Sequence, residues 1–342
     1  MSAVHDARGR QWLRWLVPLA TVVLLAVFAR KVDWRHAWDA IVHADPVLLG
    51  VATLANVASL AVKGVRWAFF LQAIGIRDVG LAIRAVFAGA ALNNVLVANG
   101  GDAARVAAIS RRMNVSSASV LATVALDRLS DLVTYALIFV GAAFTLTLPP
   151  ELARWRTPGI VALTAMAAVV GILVVRTPRS ESAVGTAAPE KPTTIVRARA
   201  YWRRLARAFA TASTKPRLAA ALALAFVAWF GQWATFHYAA HSASFPTTAG
   251  DSLLALLAVN ASFLIRLTPG NVGVFQLLYT LAATSTGLDK DRAVGVAFLI
   301  TVVQYIPITV IGLSLTRSFA TGTRPSRTRE PVRLDPFEEE QA

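Results

Sequence analysis

Long apolar runs separated by short polar segments are the feature that most constrains the fold of this 342-residue chain. A helix needs about 20 mainly apolar residues to cross the hydrocarbon core of a bilayer. The composition agrees, because 56% of the residues are hydrophobic and only 15% are charged, against about 25% charged in ordinary soluble domains. We predict an all-α, polytopic transmembrane helix bundle forming a single domain over residues 1–316. The expected spans lie near residues 12–30, 47–67, 117–148, 159–176, 218–240 and 293–316.

Two further apolar stretches are interrupted by polar and glycine-rich residues. Residues 81–112 are broken by Asn99-Gly100-Gly101-Asp102, and residues 252–286 by Thr268-Pro269-Gly270-Asn271-Val272-Gly273. Non-helical backbone at membrane depth is tolerated only where protein covers it or where it lines a wet cavity. Each break also exposes a helix N-terminus that can hold an anionic phosphate. An ordinary tight turn at the surface is the alternative for each break taken singly.

Basic residues predict the topology, since Lys and Arg mark cytoplasmic loops. Segment 177–216, a basic loop, and tail 317–342, expected to be disordered, both carry many cations. With these and the N-terminus inside the cell, parity requires residues 81–112 to form a hairpin that enters and leaves on the cytoplasmic side. Residues 252–286 are either two spans or a second hairpin, and the hairpin would give the arrangement of an inverted repeat. We predict a multi-pass protein of the cytoplasmic (inner) membrane with both termini cytoplasmic.

Charged residues within apolar runs mark a candidate site. Asp127 and Asp131 are four residues apart and share a helix face, and Arg128 is expected to reach Asp131 at a spacing of three. A charge at the bilayer centre costs roughly 2.5–3.5 kcal/mol on insertion scales, so such residues face the interior and pair. They form either a functional cavity or a structural ion pair. Arg266, just before the second break, either snorkels to an interface or offers a planar fork to phosphate.

The candidate site residues fall into three sets. Lys63 and Arg66 close the span near residues 47–67, where they are either a cytoplasmic anchor or part of a polar cavity that also includes Gln276. Asp127 and Asp131 form an intramembrane charge cluster. The candidates for binding a lipid phosphate are Asn94, Asn99, Gly100, Gly101, Asp102, Arg105, Arg128, Arg266, Thr268, Gly270 and Gly273.

Several classes of chemistry find no support in the residues. The chain has no cysteine, and its five histidines show no metal-ligand spacing, so we expect neither a metal nor a cofactor. The net charge of +15 lies between apolar runs, which favours anionic head groups over nucleic acid. No nucleotide loop or catalytic triad is present, so we predict no enzyme; a lipid-modifying transferase using Asp127 and Asp131 is a minor alternative. High alanine and arginine usage is typical of a bacterial source.

Four motifs in order resemble the membrane domain of lysylphosphatidylglycerol synthases, which also occurs alone as a flippase-like membrane family. They cover residues from about 15 to 315, nearly the whole chain. The soluble aminoacyl-transfer domain of the synthases is not expected. The motifs are Lys63-Gly64-Val65-Arg66-Trp67, Asn94 through Asn99-Gly100-Gly101-Asp102 to Arg105, Asp127-Arg128-Leu129-Ser130-Asp131, and Thr268-Pro269-Gly270-Asn271-Val272-Gly273-Val274-Phe275-Gln276.

The chain departs from the family pattern at three places. Asp102 is the nearest acid at the first break, Gln276 stands where the family usually has glutamate, and Asp127 replaces the glutamate of a Glu-Arg pair. The resemblance implies movement of an anionic, aminoacylated or glycosylated lipid between leaflets, with membrane lipids and their anionic head groups as partners. The rival hypothesis is a membrane scaffold for a glycosyltransferase or lipid-synthesis enzyme.

Overall fold

The computed structural model of the protein describes residues 30, 32–95, 100–146, 153–154, 157–161, 164–165, 214–261, 271 and 273–321. These residues contain helices and no strand, which confirms the predicted all-α bundle. The expected first span, most of 159–176, most of the basic loop and the tail beyond residue 321 lie outside the described residues. The principal helices are α1 (Trp34–Val42), α2 (Pro46–Gln72), α3 (Val79–Val95), α4 (Gly100–Met113), α5 (Ser117–Thr145), α6 (Lys215–Ser242), α7 (Ala249–Ala261), α8 (Val274–Ser285) and α9 (Lys290–Thr321).

Three of the described helices are long and apolar enough to cross a membrane. They are Pro46–Gln72, Pro216–Ser242 and Lys290–Thr316. Helix α5 is of similar length but carries the three charged residues of the predicted cluster. Helix α1, which the sequence analysis did not predict, is a nine-residue amphipathic helix. It packs on α9, where the backbone of Ala37 lies so close to Gly295 that any side chain there would clash.

The first broken stretch is a pair of antiparallel helices, α3 and α4, in contact along their length. The side-chain oxygen of Asn93 accepts a hydrogen bond of 2.8 Å from the backbone N–H of Gly101. One turn earlier in α3, Gly89 meets the backbone of Gly101, and a Cβ on Gly101 would collide with the carbonyl oxygen of Gly89. Small residues therefore allow the two backbones to approach closely. Residues 96–99, which join the helices, are outside the described residues.

The second broken stretch has the same form. Helices α7 and α8 contact each other and have 13 and 12 residues. At about 1.5 Å per residue, each spans about 20 Å, less than the hydrocarbon core. Helix α8 has Gly273 as its N-cap residue, with a φ of 87°. The side-chain oxygen of Gln276 accepts a 2.6 Å hydrogen bond from the Gly273 N–H and so caps the helix.

The order of helices repeats. Helices α2 to α5 run long, short, short, long with a break in the middle, and α6 to α9 do the same. The contacts between helices repeat as well. Within the halves, α2–α3, α3–α4, α4–α5 and α2–α5 correspond in this order to α6–α7, α7–α8, α8–α9 and α6–α9. Between the halves, α5–α6 corresponds to α9–α2. Even the contact of α5 with α7 has its counterpart in that of α9 with α3.

Helices α2 and α6 lie at the centre of this repeat and run antiparallel. Ala52 contacts Thr235, and further along α2 the Ser59 hydroxyl donates a 2.7 Å hydrogen bond to the carbonyl oxygen of Ala228, 169 residues away. The corners after the two helices are equivalent at the same separation: the N–H of Ile76 donates to Leu71, and the N–H of Phe245 donates to Ala240.

Equivalent positions thus touch at the Ser59–Ala228 crossing. A two-fold axis through that point and perpendicular to both helices would relate the halves. For helices that cross the membrane, such an axis lies in the membrane plane, which defines an inverted-topology repeat.

Candidate functional site: an ionic and amide-lined cavity

Arg66 is the buried centre of the charged cluster. It is in the last turns of α2, fully buried, and faces α5. Its Nε and Nη2 lie 2.8 and 2.7 Å from one oxygen of Asp127, and its Nη1 lies 2.7 Å from Asp131. The two aspartates share a helix face, as predicted, because they are four residues apart. A planar guanidinium can hold both carboxylates at once, which a lysine ammonium cannot do with fixed geometry.

The start of α4 adds a second layer to the cluster. Asp102 accepts hydrogen bonds of 3.1 and 2.6 Å from Nε and Nη2 of Arg128, and Nε of Arg105 lies 3.3 Å from its other oxygen. Arg105 also reaches Asp127 at 3.5 Å and places its guanidinium 4.7 Å from the centre of the Trp67 ring. Asp102 lies in the first turn of its helix, where the helix dipole favours an anion.

An uncharged network joins α2 to the second half of the chain. Nδ2 of Asn56 donates to the carbonyl oxygens of Val303 and Gln304, and its Oδ1 accepts a 3.0 Å hydrogen bond from Nε2 of Gln232. Nε2 of Gln304 in turn donates to Oε1 of Gln232 at 3.0 Å. This amide chain joins α2, α6 and α9 at the level of the central crossing.

The two networks line one cavity of about 500 Å³. We call its charged lining the ionic set and its carboxamide lining the amide set. The ionic set is Lys63, Asp102, Arg105, Asp127, Arg128 and Asp131. The amide set is Asn56, Asn93, Asn94, Gln232, Asn260 and Gln304. Aromatic rings complete the lining, from Tyr135, Trp229, Phe236, Phe275 and Tyr305.

Two ionic contacts of the first half have neutral counterparts in the second half. Counting from the ends of the equivalent helices, Asp102 corresponds to Gln276, because each is the third residue of its helix. Counted from the start of its helix, Arg128 in α5 corresponds to Thr301 in α9. Where Asp102 pairs with Arg128, Nε2 of Gln276 donates a 3.0 Å hydrogen bond to the Thr301 hydroxyl.

The same substitution occurs nearer the crossing. At the 169-residue separation, Lys63 corresponds to Gln232. Counted from the helix starts, Asp131 corresponds to Gln304. Lys63 is attracted electrostatically to Asp131, and Gln232 is hydrogen-bonded to Gln304. At these four pairs of positions the first half carries a charge and the second half carries an amide or a hydroxyl group.

The structure corrects three sequence predictions. Arg128 does not pair with Asp131 through a hydrogen bond or salt bridge between described residues; it turns to Asp102, whereas Asp131 is held by Arg66. Arg66 and Gln276 lie behind the cavity and do not line it. Arg66 is also no surface anchor, because an ion-paired guanidinium with no exposed area cannot reach head groups.

Most of the other predicted site residues either line the cavity or lie at the start of a helix. Asn94, Asp102, Arg105, Asp127, Arg128, Asp131 and Lys63 line the cavity together. Gly101 is buried against α3, and Gly100 begins α4. Gly273 is the N-cap of α8. Asn99, Arg266, Thr268 and Gly270 lie outside the described residues, so their predicted roles stay predictions.

Sequence reasoning missed several lining residues, among them Asn56, Tyr135, Trp229 and Gln232. Asn56 and Gln232 lie singly in long apolar helices, where interhelical hydrogen bonding is the ordinary role of an amide. An alignment of the two halves would have drawn attention to Gln232, because it corresponds to the charged Lys63.

The fold and the cavity define a class: polytopic helical membrane proteins with an inverted repeat and a polar chamber enclosed by apolar helices. Within this class, the chain belongs to the lysylphosphatidylglycerol synthase TM region family, whose match covers residues 14–312. The matched range includes all the described helices of the two halves up to the penultimate turns of α9.

A curated relative is similar over part of its length. It is glycosyltransferase AglD of Haloferax volcanii, 32% identical over 132 residues, which cover 37% of this chain and 21% of the relative. This chain therefore matches about a fifth of that protein, and most of the relative lies outside the aligned region.

Proposed function

We propose that this protein translocates, or helps to translocate, an anionic, aminoacylated or glycosylated lipid between the leaflets of the inner membrane. The observation that carries the proposal is the cavity of about 500 Å³ that holds six charged side chains inside an apolar helix bundle. Ionisable groups at membrane depth are costly and occur mainly along substrate or ion pathways. A lipid head group needs such a polar route, while its acyl chains remain in the bilayer.

The family supports a membrane role related to lipids, and the inverted repeat supports transport. In transporters with inverted repeats, the substrate site lies near the bilayer midplane at the interface between the repeats. Here the cavity has residues from both halves, including Asn94 of α3 and Asn260 of α7, which are equivalent short helices. We infer cytoplasmic termini from the bias of basic residues, and we infer that the protein is not an enzyme.

Reconstitution tests the proposal. Vesicles with and without the protein receive a fluorescent phosphatidylglycerol in both leaflets, and dithionite then quenches the outer leaflet. We expect quenching to stop at half in empty vesicles and to approach completion in vesicles with the protein. Arg128→Gln should slow the exchange, because this half-exposed side chain lines the cavity. Arg111→Gln, which removes a cation from the exposed end of α4, is the matched control. Equal quenching in empty and protein-containing vesicles would refute the proposal.

A second candidate is a scaffold for a glycosyltransferase. It is favoured by the name of the relative, in which the matched region is only a fifth of the protein. We propose the basic segment 177–216 as the docking element in that case. Deleting this segment should abolish co-purification of a glycosyltransferase and leave lipid exchange unchanged if both roles exist. If the deletion stops exchange without changing co-purification, the scaffold role of this segment is wrong.

A further inference from the structure

We infer that the cavity selects an anionic phosphodiester joined to an uncharged, hydroxylated group such as a sugar, and that it discriminates against aminoacylated lipids. The inference rests on the proposed function, because it names the head group that the same cavity would take. It depends on the charge balance of the ionic set and on the hydrogen-bonding capacity of the amide set.

The charged residues around the cavity do not balance. The described cluster contains four cations, Lys63, Arg66, Arg105 and Arg128, and three carboxylates, Asp102, Asp127 and Asp131. One positive charge is therefore in excess. The three arginines are all ion-paired, whereas Lys63 makes no salt bridge within 4.0 Å to any described residue. Its ammonium, in the cavity lining, is the group that an incoming phosphate can neutralise.

The three carboxylates of the cluster are already paired with arginines. An aminoacyl head group would bring one or more ammonium groups, which need a free anion inside the cavity. Asp127 already binds Arg66 and Arg105, Asp102 binds Arg105 and Arg128, and Asp131 binds Arg66. An added cation would either displace an arginine from an ion pair or bind the oxygen of Asp131 that has no described partner, where it would compete with the attraction between Asp131 and Lys63. The excess positive charge adds repulsion to that cost.

The amide set has hydrogen-bonding groups that no described residue uses. Asn93 accepts from Gly101 through Oδ1, but its Nδ2 donates to no described residue. Asn94 and Asn260 donate through Nδ2 to Thr309 and to the carbonyl oxygen of Leu256, and their Oδ1 atoms accept from no described residue. Within the part of the chain that the structure describes, the amide set thus has both unused donors and unused acceptors. Hydroxyl groups, which donate and accept at the same time, satisfy such a mixture, whereas an ammonium only donates.

Lys63 and Gln232 lie at different levels of the cavity. Lys63 lies four residues past Ser59 on α2, and Gln232 lies four residues past Ala228 on α6. Because the helices are antiparallel, Lys63 and Gln232 lie on opposite sides of the crossing. Each is about 6 Å from it along its helix axis, so the two backbone positions are about 12 Å apart in that direction. A phosphate beside Lys63 and a hydroxylated group on the Gln232 side would therefore bind at different positions along the cavity of about 500 Å³. Trp229 contributes an indole N–H that is buried and has no partner among the described residues.

Binding of four short-chain lipids to the full-length protein in detergent tests the inference. Dioctanoyl phosphatidylinositol is a monoanion with a hydroxylated ring, phosphatidylmethanol is a monoanion without hydroxyls, and lysyl-phosphatidylglycerol is a net cation. Phosphatidylglycerol, with two hydroxyls, is intermediate. We expect phosphatidylinositol to bind about tenfold more tightly than phosphatidylmethanol, the gain of one or two net hydrogen bonds, and lysyl-phosphatidylglycerol to bind most weakly.

Two variants test whether Lys63 is the residue that binds the phosphate. Lys63→Gln, which copies the residue of the second half, should weaken the binding of phosphatidylinositol and of phosphatidylmethanol about tenfold, since it removes one charge-assisted contact. It should also narrow the affinity advantage of these two lipids over the lysyl ester. Arg111→Gln should change none of the affinities. A lysyl ester that binds as tightly as phosphatidylinositol, or anion binding unchanged by Lys63→Gln, would overturn the inference. The binding assay needs no translocation. Lipid exchange without the expected order of affinities would therefore refute the inference alone, and the expected order without lipid exchange would refute only the proposed function.

Discussion

Substituting Arg66 gives the most direct test of the buried ionic cluster. Arg66 has no exposed area and places three nitrogen atoms within 2.8 Å of two carboxylates. Removing one partner of a buried ion pair costs about 3–5 kcal/mol, because the other charge stays buried without compensation. Arg105, which lies 3.5 Å from the second oxygen of Asp127, continues to neutralise part of that charge. We therefore expect Arg66→Met to lower the free energy of unfolding by about 3 kcal/mol, the lower end of that range.

The assay is reversible unfolding of the detergent-solubilised protein, followed by tryptophan fluorescence. Arg66→Lys, which keeps the charge but loses the planar fork, should cost less than Arg66→Met. The double variant Arg66→Met/Asp127→Leu should recover about half of the loss, because replacing a whole buried pair by apolar groups is often close to neutral. A loss below about 1 kcal/mol, the range of an exposed pair, would refute the view that Arg66 holds the cluster together. A double variant less stable than Arg66→Met would refute it too.

Two further predictions test the fold around the cavity. Gly101→Ala should destabilise the protein by about 1–3 kcal/mol, since its Cβ would meet the backbone of Gly89. Gly141→Ala, with open space around it, should be neutral or stabilising in the same unfolding assay. The double variant Ser59→Cys/Ala228→Cys should form a disulfide on mild oxidation in this cysteine-free chain. A protease site engineered into segment 177–216 then allows the chain to be cut, and the disulfide should keep the two halves joined after cleavage. Recovery of two separate halves would contradict the central crossing.

The sequence predicted which residues are helical better than it predicted which residues meet. Long apolar runs fix the helices because few other structures satisfy the backbone in lipid. The predicted span near residues 47–67 occupies α2, which the structure extends to Gln72. The rotation of a helix about its own axis is set by packing, and the sequence does not show it. Arg66 therefore resembled an interfacial anchor, although it faces Asp127 from 61 positions away.

The predicted charge cluster shows the same limit at closer range. The spacing of Asp127 and Asp131 placed them on one face, but Arg128, one residue on from Asp127, points about 100° away around the helix. Its guanidinium therefore reaches Asp102 on α4 at 2.6 Å instead of Asp131 on its own helix. Local spacing identifies residues that can interact, and the break before Asp102 determines which partner Arg128 has.

The difference between the two halves has a consequence for how a lipid would sit in the cavity. Two identical halves would offer equivalent positions on either side of the Ser59–Ala228 crossing, so a head group would bind equally well in two opposite orientations. Lys63 on one side and Gln232 on the other remove this equivalence. A phosphate gains a charge-assisted contact at Lys63, whereas both N–H groups of Gln232 already donate, to Asn56 and to Ser59. The inferred ligand would therefore enter with its phosphate toward Lys63 and its hydroxyl groups toward Gln232. The exchange of charges for amides between the halves would fix the orientation of the lipid without altering the symmetry of the helices.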